Sequence, residues 1–355
     1  MSRFLLSALL CLIATAEIHA MPSGLYLDVI ASRYSVAEKK IEDAYKNPDE
    51  MSGSDLAVMC HIYFKLKRYG KLAKCTDRLE ARIKAGEVRH SDFLVLASST
   101  TPLPDTLRAG AAFELGDPTQ ALMLARKAYP LITEEGTLGI FSPASYKIEL
   151  LQIMGIAATL TGRRAEAEKY MALLETVDVP HGHGQQWKNL KDVALIKLSL
   201  ALGQHEKALE YLSKGERNTM SRMLGDALLL GGDSMSTAYD LPKFLMQGKA
   251  LIETGKFDEA KKAISAMLNH KRVAEYPDLL WVALEIRGRL AEKERDGGGA
   301  IDFYRKAVDI IEQQRSTINT EASKIGFVGD KQAVYGRLIA VLIEQGRANE
   351  AFDYV

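Results

Sequence analysis

The most metal-like grouping of side chains in this sequence is the His-x-His pair formed by His181 and His183. Two histidines two residues apart in a loop can both reach one metal ion. Zinc sites in proteins use three or four ligands, and no complete set of that size surrounds this pair. We therefore interpret the pair as part of a solvated loop and expect no bound metal.

Two cysteines could form a covalent link. Cys60 and Cys75 lie on the two helices predicted for the first repeat, but they are offset by nearly one helical turn, about 4.5 Å. A disulfide needs Cα atoms within about 7 Å, so this offset makes a bridge geometrically marginal. Two alternatives remain open: a disulfide, or two buried thiols of ordinary core type.

Motifs for catalysis and cofactor binding are absent from the sequence. It has no glycine-rich phosphate loop, no HExxH metal pair, no GxSxG elbow and no CxxC pair. We expect no catalytic residue and no cofactor in this chain.

The composition is that of a folded protein without strong charge bias. Of the 355 residues, 47% are hydrophobic and 26% are charged, which argues against disorder. Basic and acidic side chains number 46 each. Because nucleic acids and anionic membranes attract basic surfaces, this balance makes neither an expected partner.

Residues 1–20 have the layout of a signal peptide. Arg3 precedes an apolar run from Phe4 to Ala14, and small residues at Ala16 and Ala20 offer cleavage points. The run is too short to span a bilayer, which needs about 20 residues. The alternative is a buried N-terminal helix; a lipid anchor at Cys11 is disfavoured because leucines precede it. We expect export to the periplasm or secretion.

One pattern occurs seven times in the rest of the chain. A mostly small residue is followed seven positions later by a turn residue, usually glycine, and twelve positions later by a residue that is alanine in six copies. Glycine ends a helix readily because a left-handed backbone costs it nothing, and small residues allow two helices to cross closely. Each copy is thus a predicted helical hairpin. The turn positions are Lys67, Gly116, Gly162, Gly203, Gly255, Arg295 and Gly346.

These hairpins resemble tetratricopeptide repeats. The segments Leu251 to Ala260 and Glu344 to Ala351 are similar to the turn of that repeat, and the resemblance covers residues 54–355. It implies an all-α, right-handed superhelical solenoid of about seven hairpins, because one hairpin cannot bury its own apolar face. The copies are spaced more widely than the usual repeat of about 34 residues. Residues 21–53 are expected to form a helical cap over the first hairpin, with one helix over residues 24–46.

Two further segments interrupt the pattern. Asn218 to Tyr239 is expected to form a connector before the fifth hairpin, and Asp296 to Gly299 is expected to form a flexible turn in the sixth.

A narrower resemblance concerns the end of the chain. The helix from Ala300 to Glu312, the segment from Phe327 to Tyr335 and the segment from Gly346 to Tyr354 resemble the repeats that precede a CHAT domain, a caspase-like peptidase. The resemblance implies a C-terminal domain whose His and Cys do the chemistry; no residue here matches those motifs. Val355 falls inside the last predicted helix, so we expect the repeat array to be truncated there.

The concave groove of such an array is the candidate binding surface. The residue after the small position of each copy is predicted to point into it: His61, Gly110, Ile156, Lys197, Lys249, Arg289 and Ala340. Lys197, Lys249 and Arg289 would form a cationic row suited to an acidic peptide or a chain-end carboxylate. Phe64 and Phe113 could add apolar pockets. The alternative is a solvated face on which acids such as Glu253 or Glu285 pair with the cations.

These observations favour a protein or peptide-binding scaffold, placed before a CHAT domain in a longer protein. Two other functions stay open: a substrate-recruiting arm of a caspase-like cysteine protease, and a stand-alone periplasmic adaptor for envelope assembly.

Overall fold

The computed structural model of the protein describes residues 24–30, 33–88, 100–133, 142–179, 185–214, 234–316 and 331–355. The predicted signal peptide, the loop with His181 and His183, and the connector over 218–233 lie outside these described residues. Across the described ranges the regular structure is helical, without a strand. The helices are α1 (Leu25–Ile30), α2 (Tyr34–Ala44), α3 (Gly53–Lys65), α4 (Tyr69–Lys84), α5 (Leu103–Glu114), α6 (Pro118–Ala128), α7 (Pro143–Leu160), α8 (Arg164–Thr176), α9 (Gln185–Ala201), α10 (His205–Lys214), α11 (Ser234–Glu253), α12 (Phe257–Leu268), α13 (Pro277–Lys293), α14 (Gly297–Ser316), α15 (Gln332–Glu344) and α16 (Ala348–Ala351).

The helices from α3 onward pair into the seven predicted hairpins, each closed by a short turn. All seven predicted turn residues have positive φ. Five are glycines, which adopt this conformation without steric cost. Lys67 and Arg295 take it as well, with φ of 58° and 59°. The described residues therefore form an all-α array of tetratricopeptide-like hairpins, as predicted from the sequence, and the hand of a superhelix stays a prediction.

Small residues mark close helix crossings, although the partner helix varies. A Cβ atom added to Gly288 would lie 2.4 Å from the Tyr304 ring on the second helix of the same hairpin. Gly155 differs, because its neighbour is Leu198, on the first helix of the following hairpin. The small position therefore serves contacts within a hairpin in one copy and contacts between hairpins in another.

Two details of the turns and the cap differ from expectation. The segment Asp296 to Gly299, predicted as a flexible turn, begins helix α14: the Gly299 amide donates to the Asp296 side chain at 2.9 Å, which caps the helix. The single N-terminal helix expected over 24–46 is two helices, α1 and α2. Buried Asp28 on α1 pairs with Arg33 and Lys40, each at 2.6 Å, and holds the two helices together.

The chain divides into two compact units. The first comprises Met1–Arg108 and Lys127–Tyr146, and the second comprises Ala109–Arg126 and Lys147–Val355. The first unit contains α1 to α4, and the hairpin of α5 and α6 is divided between the units. The second unit contains most of α7 and all later helices, and buried side chains form apolar clusters along α11 to α15.

Candidate binding surface

In the first unit, the two predicted groove residues pack against other side chains, with Phe64 buried and His61 partly buried. His61 on α3 packs edge-on against the Tyr34 ring of α2, with ring centroids 6.0 Å apart. Burial, and to a smaller extent the charge of Lys65, lowers the pKa of His61 well below its ordinary value. Phe64 is only 6% exposed. Because Phe64 is buried, the first hairpin offers no open apolar pocket there, and the Tyr34 ring of α2 packs beside it on His61.

The two cysteines of the first hairpin are bonded to each other. Cys60 on α3 and Cys75 on α4 form a disulfide, with Cα atoms 5.5 Å apart. Both side chains are buried. Of the two alternatives left open by the sequence, the structure contains the disulfide. The two helices cross closely enough for the cysteines to bond despite their offset of nearly one helical turn.

In the second unit, the predicted groove residues differ in exposure. Phe113 on α5 is half-buried, and Lys197 on α9 and Lys249 on α11 are exposed. Arg289 on α13 is partly exposed. Lys197 and Lys249 are thus more accessible than the matching position His61, whereas Phe113 and Arg289 are partly buried, as His61 is.

Arg289 has acidic neighbours on two helices. Its Nη2 atom lies 2.6 Å from Glu253 Oε1 at the end of α11, and its Nε atom lies 3.9 Å from Glu285 Oε1 one turn earlier on α13. These are the two acids that the alternative interpretation named. Instead of a row of cations alone, the structure has an alternating arrangement of charges around Arg289.

Arg337 on α15 belongs to the same arrangement, and the sequence analysis missed it. Its Nε atom lies 3.7 Å from Glu285 Oε1, and its Nη1 atom lies 3.5 Å from Glu292 Oε1. Arg337 precedes the predicted groove residue Ala340 by three positions, which places both on one helix face. Extending the groove prediction by one turn along each helix would have found Arg337 and Glu292, in addition to Glu253 and Glu285, which the sequence had already indicated.

Glu285 lies at the centre of these charges and is mostly buried, with 14% of its side chain exposed. Burial raises the pKa of Glu285, because desolvation disfavours the charged carboxylate. The charges of Arg289, Arg337 and Lys249 act in the opposite direction without cancelling this effect. Glu285 thus links α13 to α15 through Arg337, and its burial has an electrostatic cost.

Beside this network is a cavity of about 320 Å³, which we call the α13 pocket. Its walls are Ile252, Glu253, Phe257, Arg289, Glu292, Lys293 and Arg337. The Lys293 ammonium lies 5.8 Å from the centre of the Phe257 ring, within cation–π distance. The Tyr304 hydroxyl donates a hydrogen bond to Glu292, which orients that carboxylate. The pocket therefore combines a small apolar wall with charges of both signs.

Within the ranges that the structure describes, no group of three or more His, Cys, Asp or Glu side chains is placed to hold a metal ion. None of the helices in those ranges is both long and apolar enough to cross a bilayer.

Comparison with known proteins gives little to add. No protein-family profile and no curated protein matches the chain. Among solved structures, the human IFIT1 dimer with m7Gppp-AAAA matches 93% of this chain and 87% of its own at 16% identity, with a TM-score of 0.27. A monomeric IFIT1 mutant with Gppp-AAAA gives the same values. A TM-score this low supports no argument about this chain, so its fold assignment rests on its own helices.

Proposed function

We propose that this protein is an interaction scaffold that holds a peptide or protein segment against the open faces of α11, α13 and α15. The observation that carries the proposal is the α13 pocket, which lies beside predicted groove position Arg289 and has both apolar and charged walls. Its volume falls within the range of about 300–1,000 Å³ typical of ligand sites. Peptides bind helical arrays through many modest contacts on a preformed surface, and this pocket supplies one of them.

Selection from a random peptide library displayed on phage tests the proposal, with the purified full chain as bait. We expect enriched peptides that bind with micromolar affinity and lose binding to the charge-reversal variant Lys249→Glu, Arg289→Glu. The matched control is Lys261→Glu, which reverses an exposed cation on α12, outside the pocket walls. Peptides that bind all three proteins equally well, or a selection that enriches nothing, would refute the proposed surface.

The resemblance of the C-terminal repeats to those preceding a CHAT domain extends this proposal to the longer protein. In that setting the array would present a partner to, or restrain, a caspase-like peptidase domain. Functions as a substrate-recruiting arm or as a stand-alone periplasmic adaptor remain the alternatives. The intact mass of the native polypeptide in its source cells separates the adaptor from the two functions in a longer protein. A species clearly heavier than this chain supports the longer protein, and a species lighter by one signal peptide supports the adaptor.

The proposed location is outside the cytoplasm. The layout of residues 1–20 supports export, and the Cys60–Cys75 disulfide is of a kind that persists in oxidising compartments. Cell fractionation tests this directly. We expect the protein in the periplasmic or secreted fraction with its first residues removed, whereas an uncleaved cytoplasmic protein would overturn the assignment.

A further inference from the structure

Four of the five charged side chains in the walls of the α13 pocket form two pairs of opposite charge, and the fifth, Lys293, lies against the Phe257 ring. This pairing limits what can bind there. Arg289 pairs with Glu253 at 2.6 Å, and Arg337 lies 3.5 Å from Glu292. All four of these side chains keep between 25% and 41% of their surface exposed. A ligand can therefore reach both members of each pair.

A purely acidic ligand fits this arrangement poorly. Its carboxylate would pair with Arg289 in place of Glu253. The Glu253 carboxylate would then lie next to a second negative charge without its own cation. Like charges at such short range repel each other, so part of the gain would be lost. A purely basic ligand is unfavourable for the corresponding reason. Its cation would pair with Glu253 and leave Arg289 next to a second positive charge.

A ligand with one charge of each sign avoids both costs. Its carboxylate replaces Glu253 as the partner of Arg289, and its cation replaces Arg289 as the partner of Glu253, so the number of ion pairs rises rather than staying constant. Hydrogen bonds between guanidinium and carboxylate groups are strong and directional, which favours this exchange at Arg289 and Arg337.

The remaining wall of the pocket determines what lies between the two charges. Ile252 is buried beneath the surface, and the Phe257 ring is 38% exposed. Lys293 covers one face of that ring at 5.8 Å. An aliphatic side chain between the charged residues of a ligand can rest on Ile252 and the free part of the ring, where burial of apolar surface stabilises the complex.

From this geometry we propose that the α13 pocket binds a dipolar segment of a partner protein, with a carboxylate and a cation flanking an aliphatic residue. This inference rests on the proposed scaffold function and names the class of segment that the scaffold recognises. It replaces the acidic peptide expected from the row of cations, because the structure adds Glu253 and Glu292 to the same walls.

Four fluorescently labelled capped peptides test the inference by fluorescence polarisation on the full chain. Their central residues are Glu-Leu-Lys, Lys-Leu-Glu, Glu-Leu-Glu and Lys-Leu-Lys, each flanked by glycines. We expect at least one mixed-charge peptide to bind ~10-fold more tightly than both peptides with charges of one sign. This ratio corresponds to the free energy of one or two exposed ion pairs. Equal affinities, or tighter binding of the Glu-Leu-Glu peptide, would overturn the inference.

Two pocket variants assign the charges. Glu253→Gln should remove the preference, weakening the mixed peptide while strengthening Glu-Leu-Glu, since the repelling carboxylate is gone. Arg289→Gln should weaken every peptide that carries a glutamate. Arg287→Gln is the control: Arg287 is on the same helix, lies 3.3 Å from Glu294 and is not part of the pocket wall. An equal response of Arg287→Gln and Arg289→Gln would show a general effect on α13 and contradict the proposal.

Failure of this inference is distinguishable from failure of the scaffold function. If the library selection yields binders that depend on Lys249 and Arg289 but have only acidic residues, the scaffold stands and the dipolar specificity is rejected. If the selection yields no binder and the four short peptides do not bind, both proposals are rejected together.

Discussion

The first and sixth hairpins carry the same sequence pattern but use its groove position differently. In the first, the residue after Cys60 is His61, which is packed against the Tyr34 ring of α2. In the sixth, the residue after Gly288 is Arg289, which faces the α13 pocket. Register in the repeat predicts the direction of a side chain, whereas exposure depends on what packs against that face.

The two hairpins also hold their helices together by different means. A disulfide joins α3 and α4 in the first hairpin. In the sixth, Gly288 allows α13 to approach the fully buried ring of Tyr304 on α14. The first hairpin is thus closed covalently and covered, and the sixth is closed by packing and open on one side. The predictions below test this difference, from the largest expected effect to the smallest.

Removing the disulfide should affect the first hairpin most strongly. For Cys60→Ala, Cys75→Ala we expect the opening free energy of α3 and α4 to fall by about 3 kcal/mol, the loop-entropy value for a 15-residue separation. Hydrogen exchange of the α3 and α4 amides measures this, and peptide binding at the α13 pocket should not change. Two reactive thiols on titration of the unfolded wild-type protein without residues 1–20, which contain Cys11, would contradict the disulfide.

Filling the close crossing of the sixth hairpin should give the next largest effect. Gly288→Ala places a Cβ atom 2.4 Å from the Tyr304 ring, which has no room to move in the core. We expect a loss of about 2 kcal/mol in the free energy of unfolding, measured by urea denaturation.

Gly336 on α15 is the matched control for this substitution. A Cβ atom there has nothing within 4 Å, so Gly336→Ala should stabilise the protein by about 0.5–1 kcal/mol through helix propensity. Equal effects of the two substitutions would show that the crossing at Gly288 is not closely packed.

The turn residues of the same two hairpins should both respond to glycine. Lys67 and Arg295 hold positive φ values that cost a side chain about 1–2 kcal/mol. Glycine also adds conformational entropy to the unfolded chain, which offsets part of this gain. Lys67→Gly and Arg295→Gly should therefore each stabilise the folded protein by about 0.5–1 kcal/mol. Thermal denaturation checks this, with Gly255→Ala as the opposite change. Destabilisation by both glycine substitutions would contradict the turn geometry.

The smallest predicted effect is on the pH dependence of stability near the α13 pocket. Because the folded-state pKa of Glu285 is raised above its ordinary value of 4.5, the folded protein binds this proton more tightly than the unfolded chain. Stability contributed by Glu285 is therefore present below pH 4.5 and falls as pH rises through the folded-state pKa. The Glu285→Gln variant should lack this loss of stability with rising pH. Parallel curves of unfolding free energy against pH for the wild-type protein and the variant would contradict this prediction.

Most of the fold was predictable from the sequence because its signals are local. Glycine at a left-handed turn and alanine at a helix crossing are set by the geometry of one hairpin. The same signals predicted seven turns, including those at Lys67 and Arg295, where the residue itself is unfavourable. The turn prediction at Asp296 to Gly299 was wrong because an N-cap hydrogen bond holds three glycines in a helix.

The candidate surface was predictable only in part because it depends on neighbouring helices. The repeat register indicated Lys249 and Arg289, but their acidic partners and Arg337 come from adjacent turns and from α15. Likewise, nothing in the first copy alone indicates that Tyr34 on α2 packs against His61. Charge pairing and coverage are tertiary properties that a single repeat does not encode.

The most direct test of the central claim is a hydrogen-exchange footprint of a library-selected peptide on the full chain. The account predicts slower amide exchange in α11, α13 and α15 around residues 249–253, 285–293 and 337–340, with α2 to α4 unchanged. Slower exchange in α2 to α4 with no change around Arg289 would contradict the account, because the partner would then bind the hairpin that the structure shows to be covered.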